Sequence, residues 1–339
     1  MGLQIGDIVT RREIKFEDLK GRIVAVDAFN AIYQFLSSIR QPDGTPLMDS
    51  KGRVTSHLSG LFYRNIALLS EGIKLAYVFD GEYSELKGKT QEGRELVREK
   101  MRDKYAEARD EGDVGDMAKY SRGFMKLDKE MIADSKELLE ALGICVVQAP
   151  GEGEMQAAEL VKRGEAYAVA SQDYDALVVG ANRLIQNLTL ARKRKLANGS
   201  FVYIAPEMIE YERTINELGI NGDQLICLAI LVGTDFNPGG VRGLGPKKAL
   251  VLVKDRKFPV KIFEYVQERF GELEFNWQEV FQMFKKPNAD KVELDFPKIN
   301  EESVKDVLVE RHEFSPERVE NQLLKLRDVK KKAGQKRLF

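Results

Sequence analysis

Short apolar runs that end in acidic residues dominate the first two thirds of this 339-residue chain. One example is Ile23–Val26, which is rich in β-branched residues and is followed directly by Asp27. Runs of this length, bounded by turn signals, are typical of buried strands in a parallel sheet. The carboxyl ends of such strands share one edge of the sheet, where open α/β proteins bind their ligands. The sequence therefore predicts an α/β fold with a mostly parallel central sheet flanked by helices, and an acidic site at that edge.

Seven acidic residues share this placement after an apolar run: Asp27, Asp80, Glu152, Glu154, Asp173, Asp175 and Asp235. In one pocket, so many carboxylates would repel each other unless cations neutralised them. Oxygen ligands without histidine suit hard divalent cations, and we expect Mg²⁺ or Mn²⁺. Taken alone, each residue could be a strand-end cap, a helix first-turn charge or a solvated turn. The metal hypothesis therefore rests on their joint occurrence.

A pair of such cations would serve phosphodiester hydrolysis. Held about 4 Å apart, they would activate a water molecule and neutralise the departing oxygen. Basic side chains would then be needed to hold the phosphate, and Lys87 and Arg94 are the candidates. They are seven residues apart, so they would share one face of a helix beginning just past Asp80. Each could equally be an ordinary solvated residue.

The composition narrows the alternatives. The net charge is −1 although 32% of residues are charged, so overall charge predicts no partner. The two histidines, His57 and His312, form no ligand-spaced cluster, which argues against zinc chemistry and a histidine base. Two cysteines form no disulfide framework, and no apolar run reaches about 18 residues, so we expect an intracellular protein without a membrane span.

Helical patterns alternate with the predicted strands. We expect strands at about 144–149 and 166–172, and helices after Asp27 and at about 58–69, 129–142, 154–162, 218–232 and 246–254. Beyond Gly199 we expect the chain to be largely helical. The charged stretch 81–126 is poor in apolar residues and predicts solvated helices. An excursion of this length between two strands is unusual unless it is functional or mobile.

A glycine-rich loop precedes the helix predicted from Pro246. Its glycines would let backbone N–H groups approach a phosphate, and the helix dipole adds attraction, although such turns also occur without function. The spacing is not that of a Walker loop. We expect the loop to hold duplex backbone, with candidate contacts at Gly240, Arg242, Gly243, Gly245, Lys247 and Lys248. Tyr33 could stack on a base or could simply be a core or rim aromatic.

Five segments together resemble the flap endonucleases, structure-specific 5′ nucleases of replication and repair. The segments are 26–36, 78–81, 149–154, 171–175 and 233–240. They occur in the family's order over nearly the whole chain. The Asn-Pro-Gly-Gly stretch that ends at Gly240 resembles archaeal members. An archaeal member is expected to be cytoplasmic, whereas a eukaryotic one would be nuclear.

The resemblance implies a Mg²⁺-dependent 5′ flap endonuclease with 5′–3′ exonuclease activity, which cleaves branched DNA in Okazaki fragment processing and repair and leaves 5′ phosphates. It implies two Mg²⁺ ions, for which Mn²⁺ can substitute, on the seven acidic residues, phosphate steering by Lys87 and Arg94, and stacking by Tyr33. Gly2 would lie near the active site. Residues 81–126 would form a helical arch over the flap. Residues 237–248 would form a helix–two-turn–helix that holds duplex DNA and a K⁺ ion.

The resemblance also implies how the chain is divided. The regions are an N-terminal nuclease region 1–105, overlapped by the arch at 81–126, an internal nuclease region 127–220, a helical region 221–325 and a basic tail 326–339. The tail resembles a shortened peptide for the sliding clamp PCNA, with Gln335, Leu338 and Phe339 as contacts. A monomer is expected.

Two other functions remain open from the sequence. One is a non-catalytic scaffold for DNA junctions, but such a protein would gain nothing from acidic residues facing DNA. A haloacid-dehalogenase-like phosphatase also carries aspartates at strand ends. That class needs Asp-x-Asp after its first strand, and here Phe29 stands two residues after Asp27.

Overall fold

The computed structural model describes residues 3–41, 43–82, 87–190, 193–195 and 200–335. The strands in this part of the chain are β1 Arg12–Glu13, β2 Ile23–Asp27, β3 Lys74–Phe79, β4 Cys145–Gln148, β5 Ala168–Ala170, β6 Arg183–Gln186, β7 Lys193–Lys195, β8 Phe201–Tyr203 and β9 Glu207–Glu210. Seven of them form one sheet in the order β1-β9-β6-β5-β2-β3-β4, and β7 and β8 form a separate antiparallel pair. The five strands from β6 to β4 are parallel, whereas β9 and β1 are antiparallel additions at one edge. The predicted mostly parallel sheet is confirmed.

Helices connect and cover the strands. They are α1 Ala28–Ser38, α2 Ser56–Ser70, α3 Gly88–Glu111, α4 Val114–Tyr120, α5 Lys129–Ala141, α6 Gly153–Lys162, α7 Asp175–Val179, α8 Tyr211–Leu218, α9 Gly222–Val232, α10 Pro246–Arg256, α11 Pro259–Phe270, α12 Trp277–Lys285, α13 Glu301–Lys305 and α14 Pro316–Gln335. A 3-10 turn at Phe16–Leu19 and a π-helical segment at Asp306–Arg311 complete the elements. The predicted helices after Asp27 and at 58–69, 129–142, 154–162 and 246–254 are confirmed.

Two sequence predictions are wrong in detail. The helix expected at 218–232 begins only at Gly222, because Leu218 ends α8, Gly219 takes left-handed backbone with φ of 63° and Asn221 caps α9. The apolar run before Asp235 is thus the end of a helix, and not a strand. The chain also forms β8 and β9 before it becomes helical beyond Gly199. β9 is only four residues long, and a strand this short is too brief to show a period of two.

Alternating residues of the sheet build two cores on its opposite faces. In β2, Val24 and Val26 pack with α1, α2, α5 and α14, whereas Ala25 packs with α6, α7 and α9 on the other face. The connection from β2 to β3 runs over the first face, and the α6 connection from β4 to β5 runs over the second. The winding therefore reverses between β2 and β5. A crevice is expected outside the carboxyl ends of these two strands.

The charged stretch 81–126 forms helices α3 and α4, and most of their side chains are exposed, as predicted. The C-terminal part of this stretch contacts the segment that follows α1, where Arg40 Nη1 donates a hydrogen bond of 2.8 Å to Ser121 Oγ. In the described residues, no single helix is long and apolar enough to cross a membrane. One pair, α8 with α9, passes the same test of length and composition together, but it is bent by 80°.

Candidate active site

A cleft of about 730 Å³ opens at the carboxyl ends of the parallel strands. All seven acidic residues singled out in the sequence line it, together with Lys87, Arg94 and Tyr33. We call the part of the cleft formed by the seven acidic residues the carboxylate pocket. No histidine or cysteine lines the described part of the cleft. Residues that are up to 208 positions apart in the chain thus meet in one place, as the strand-end pattern predicted.

Asp27 belongs both to the sheet and to the first helix of the site. It is the last residue of β2 and the N-cap of α1, where its Oδ1 accepts a 3.0 Å hydrogen bond from the backbone N–H of Asn30. Ser171, just after β5, donates from Oγ to Asp27 Oδ2 at 3.4 Å. This cap holds the carboxylate at the point where the sheet reverses its winding.

Asp80 joins the end of β3 to the start of α6. Its Oδ1 accepts a 2.7 Å hydrogen bond from the backbone N–H of Gly153. A Cβ at Gly153 would lie 2.7 Å from the same oxygen, so only glycine permits this approach. Gly153 lies between Glu152 and Glu154. The contact therefore fixes both glutamates relative to Asp80.

Glu154 and Asp175 lie where α6 meets α7. Glu154 Oε1 accepts a 3.1 Å hydrogen bond from the backbone N–H of Ala176 in the first turn of α7. Asp175 is the first residue of that helix. The short helix therefore presents one of its own carboxylates to the pocket and anchors a second one from α6.

Two basic residues of the charged stretch 81–126 reach into the pocket. Lys87 Nζ forms an ion pair with Glu152 and lies 3.7 Å from Asp235 Oδ2. Arg94 Nη2 donates to the same Asp235 oxygen at 2.6 Å. Thr90, which lies between these residues in the chain, donates from Oγ1 to the backbone oxygen of Asp235. The first turns of α3 are thus fastened to the segment between α9 and α10, and Lys87 and Arg94 share one face as predicted.

Burial and mutual repulsion make several of these carboxyl groups hard to ionise. Burial and then Asp80 raise the pKa of Asp27 to about 7, and burial and then Glu152 raise the pKa of Asp80 to about 6. Burial and then Asp235 raise the pKa of Asp175 to about 8. Burial and then Asp175 raise the pKa of Glu154, and burial and then Asp235 raise the pKa of Asp173. The pocket therefore carries excess negative charge that Lys87 and Arg94 only partly offset.

Three buried oxygens of the pocket have no hydrogen-bond partner among the described residues: Glu152 Oε1, Asp175 Oδ1 and Asp235 Oδ1. Buried acceptors without donors are costly, and a cation would satisfy them. Among the described residues, no three acidic, histidine or cysteine side chains are already arranged to hold one ion between them. Lys87 and Arg94 neutralise part of the pocket in this arrangement. Carboxylate oxygens are ligands that suit hard divalent cations. Small side-chain movements would be needed to gather these ligands around an ion.

Asn30 also lines the cleft, and the sequence did not single it out. Its Nδ2 donates a 3.0 Å hydrogen bond to Asp173 Oδ2, and its Oδ1 accepts one of 3.3 Å from the backbone N–H of Gln172. The available signal was its place three residues after Asp27, where the first turn of a helix faces the residue that caps it.

Tyr33 lies at the rim of the cleft with 36% of its surface exposed. It is therefore a rim aromatic and not part of the core. Its accessible ring is compatible with the predicted stacking.

The segment between α9 and α10 contains two successive turns. They are closed by hydrogen bonds of 3.1 Å from Gly240 N–H to Asn237 O and 3.0 Å from Leu244 N–H to Val241 O. Gly240 has φ of 55°, and a Cβ there would lie 2.4 Å from Leu231 O. The predicted DNA contacts that are exposed are Arg242, Gly243, Gly245, Lys247 and Lys248, and Gly240 is half-buried.

Four predicted contacts cannot be placed fully. Gly2, Leu338 and Phe339 lie outside the described residues. For Gln335, only its backbone position at the end of α14 is described.

The comparisons with known proteins first define the class. Residues 3–101 match the family described as the XPG N-terminal domain, and residues 143–235 match the XPG I-region. These ranges carry all seven acidic residues of the carboxylate pocket. The chain is thus a protein of the XPG class.

Individual relatives define the family within that class. The chain is 47% identical to flap endonuclease 1 of Thermococcus onnurineus, over all of this chain and 98% of the relative, and 47% identical to that of Saccharolobus solfataricus, over 98% and 96%. The solved structure of flap endonuclease-1 from Methanococcus jannaschii is 39% identical, with a TM-score of 0.75 over 97% of this chain and 98% of that one. The chain belongs to the flap endonuclease family. The catalytic core of Rad2 in complex with DNA substrate shares the fold, at 22% identity and a TM-score of 0.72 over 96% of this chain and 100% of that one.

Proposed function

We propose that this protein hydrolyses a phosphodiester bond of branched DNA with a 5′ flap, using two Mg²⁺ ions in the carboxylate pocket. The observation that carries the proposal is the gathering of seven acidic side chains at the carboxyl ends of the parallel strands, three of them with buried oxygens that no described residue partners. Membership of the flap endonuclease family and the fold shared with a DNA-bound nuclease core support the same conclusion.

The residues that would hold the ions, directly or through water, are Asp27, Asp80, Glu152, Glu154, Asp173, Asp175 and Asp235. When bound, a pair of Mg²⁺ ions, or Mn²⁺ in their place, activates a water molecule and stabilises the charge on the leaving oxygen. The hydrogen bond from Gly153 N–H to Asp80 links Asp80 to the neighbouring Glu152. The hydrogen bond from Ala176 N–H anchors Glu154 to α7. These ligands are therefore presented on rigid elements. Such preorganisation is what two-ion hydrolysis demands of the protein.

Lys87 and Arg94 would exchange their present partners for the substrate. Both pair with pocket carboxylates now, and cations that took over this neutralising role would leave their N–H groups available to the scissile phosphate. Arg94 supplies a planar fork for two phosphate oxygens, and Lys87 supplies a point charge. Tyr33, at the rim, would stack on the base next to the cleaved bond.

The loop at 237–248 would hold the duplex. Arg242, Lys247 and Lys248 are exposed around the two turns and the first turn of α10, and they would contact phosphates without reading sequence. Asp235 lies two residues before this loop, so a duplex held there lies close to the carboxylate pocket. A K⁺ ion at the turns would add charge for the phosphates. Residues 81–126 would form the arch over the 5′ strand.

Several finer assignments belong to the same proposal. Cleavage would leave a 5′ phosphate, and a 5′–3′ exonuclease activity would use the same pocket. The two halves of the nuclease would be residues 1–105 and 127–220. The duplex-binding region would be 221–325, and the tail would be 326–339. We further propose a cytoplasmic monomer that contacts PCNA through Gln335, Leu338 and Phe339, with Gly2 near the pocket.

The proposal is tested by removing one pocket carboxylate. Asp173→Ala is expected to bind flap DNA as tightly as the unaltered protein, or slightly more tightly, because a negative charge is lost. It is expected to lose cleavage in Mg²⁺. The matched control is Asp223→Ala, which removes a partly exposed aspartate of α9 that lies outside the cleft and pairs with Lys285 at 2.5 Å.

Binding is measured by fluorescence anisotropy in EDTA, and cleavage by single-turnover assays with and without Mg²⁺. Cleavage by Asp173→Ala at the unaltered rate would refute the metal role of the pocket. Binding without any Mg²⁺-dependent cleavage by the unaltered protein would establish the junction scaffold instead. Turnover of phosphate monoesters alone would establish the phosphatase.

A further inference from the structure

Asn30 connects the two strand ends that flank the reversal of the sheet. Its backbone N–H donates to Asp27 Oδ1 at 3.0 Å, and its side-chain Nδ2 donates to Asp173 Oδ2 at 3.0 Å. The third contact, from Gln172 N–H to Asn30 Oδ1, is 3.3 Å long. A single residue in the first turn of α1 thus touches the carboxylate after β2, the carboxylate after β5 and the backbone that carries the latter.

The chemistry of this contact differs from that of the other donors in the pocket. Lys87 and Arg94 bring positive charge, which competes with a cation for the same carboxylates. An amide brings a donor without charge. Each carboxylate oxygen has two lone pairs, so one hydrogen bond at Oδ2 fixes the plane of the Asp173 carboxylate and leaves lone pairs for a metal.

We propose that Asn30 is a positioning residue that orients Asp173 toward Asp27 and thereby sets the affinity of the pocket for divalent cations. This inference rests on the proposed metal role of Asp173. Partners that orient metal ligands typically change metal affinity or activity by about 10–100-fold when they are removed. We expect a loss of that size, because the amide holds both the carboxylate and the turn behind it.

The same helix supplies a matched control. Gln34 also carries an amide, lies one turn further along α1, and accepts a 2.6 Å hydrogen bond from Thr189 Oγ1. Its side chain does not line the cleft. Gln34→Ala therefore removes an amide from the same helix without touching a carboxylate of the pocket.

The test uses the full chain with Mn²⁺ as the probe, titrated while free Mn²⁺ is followed by electron paramagnetic resonance. Asn30→Ala is expected to need about 10–100-fold more Mn²⁺ for half-saturation, whereas Gln34→Ala binds as the unaltered protein does. Asn30→Leu, which has a similar size and no donor, is expected to show the same loss. If the smaller alanine side chain impairs folding, Asn30→Leu still tests the loss of the donor.

Kinetics separate positioning from general destabilisation. At low Mg²⁺ the rate of flap cleavage by Asn30→Ala is expected to fall, and raising Mg²⁺ is expected to restore kcat, with DNA affinity in EDTA unchanged. Unaltered Mn²⁺ affinity in Asn30→Ala and Asn30→Leu, an equal loss in Gln34→Ala, or a kcat that Mg²⁺ does not restore would each overturn the inference. If Asp173→Ala also binds Mn²⁺ as the unaltered protein does, the proposed function fails as well.

Discussion

Lys87 and Glu152 form an ion pair inside the carboxylate pocket, and each side chain is only 11% exposed. Burial alone would lower the pKa of Lys87, but Glu152 and Asp235 outweigh burial and raise it. The lysine is therefore a firmly charged group that holds two acidic residues from different elements. The same ammonium is well placed to hold a phosphate once those acidic residues have cations as partners.

The first prediction concerns the two basic residues. Lys87→Ala and Arg94→Ala are each expected to lower kcat by about 100-fold or more, as removal of a donor to transition-state charge typically does. DNA affinity should change little, because each variant loses one of many phosphate contacts. Single-turnover cleavage and anisotropy measure the two effects. Arg213→Ala, at an exposed arginine of α8 that pairs with Glu217 at 2.7 Å, is the control. A pure loss of affinity would contradict the assignment.

The second prediction concerns pH and metal removal. In the metal-free protein the pKa is about 7 for Asp27 and about 8 for Asp175, above their ordinary value of 3.8. The folded state therefore binds these protons more tightly than the unfolded state, and stability falls as pH rises from about 4 to about 8. Thermal unfolding in EDTA should show a lower Tm at pH 8 than at pH 6.

Two additions make this measurement specific to the pocket. Mg²⁺ should raise Tm more at pH 8 than at pH 6, because the cations bind the ionised carboxylates. Asp175→Asn should raise the metal-free Tm at pH 8 and flatten its pH dependence, while it lowers cleavage. A Tm in EDTA that is constant from pH 6 to pH 8 would show that burial does not raise the pKa of these carboxyl groups.

The strand-end acidic residues could be located from the sequence because each lies next to a local pattern. Asp27 and Asp80 directly follow runs that form buried strands, and parallel strands necessarily end at one edge. The strands β1 and β9, on one side of the sheet, escaped this reasoning, since they are two and four residues long. Tertiary context alone supplies their pairing.

Contacts between distant residues were also beyond the sequence. Arg94 and Asp235 are 141 positions apart, and Asp235 follows a helix. Nothing local shows that α9 ends beside α3. The amide of Asn30 reads as an ordinary polar residue of a helix until β5 is placed beside β2.

The third prediction concerns the loop at 237–248. Replacing Lys247 and Lys248 together by alanine is expected to weaken duplex binding equally for different sequences. The slope of log K against log salt should become shallower by about 0.9 for each lost phosphate contact. Lys20→Ala is the control, because Lys20 is exposed just before β2, at the amino ends of the parallel strands and away from the carboxylate pocket. An unchanged salt slope would show that these lysines do not meet the backbone.

The fourth prediction concerns Tyr33 at the rim of the cleft. If its ring stacks on a base, Tyr33→Ala should lose about 1–3 kcal/mol of stabilisation, which corresponds to roughly 5- to 150-fold in the cleavage rate. Tyr33→Phe keeps the ring and should retain most of the activity. Single-turnover cleavage gives the rates, and 2-aminopurine next to the scissile bond reports stacking by its fluorescence. If Tyr33→Phe loses as much as Tyr33→Ala, the hydroxyl group is what matters and the stacking role is wrong.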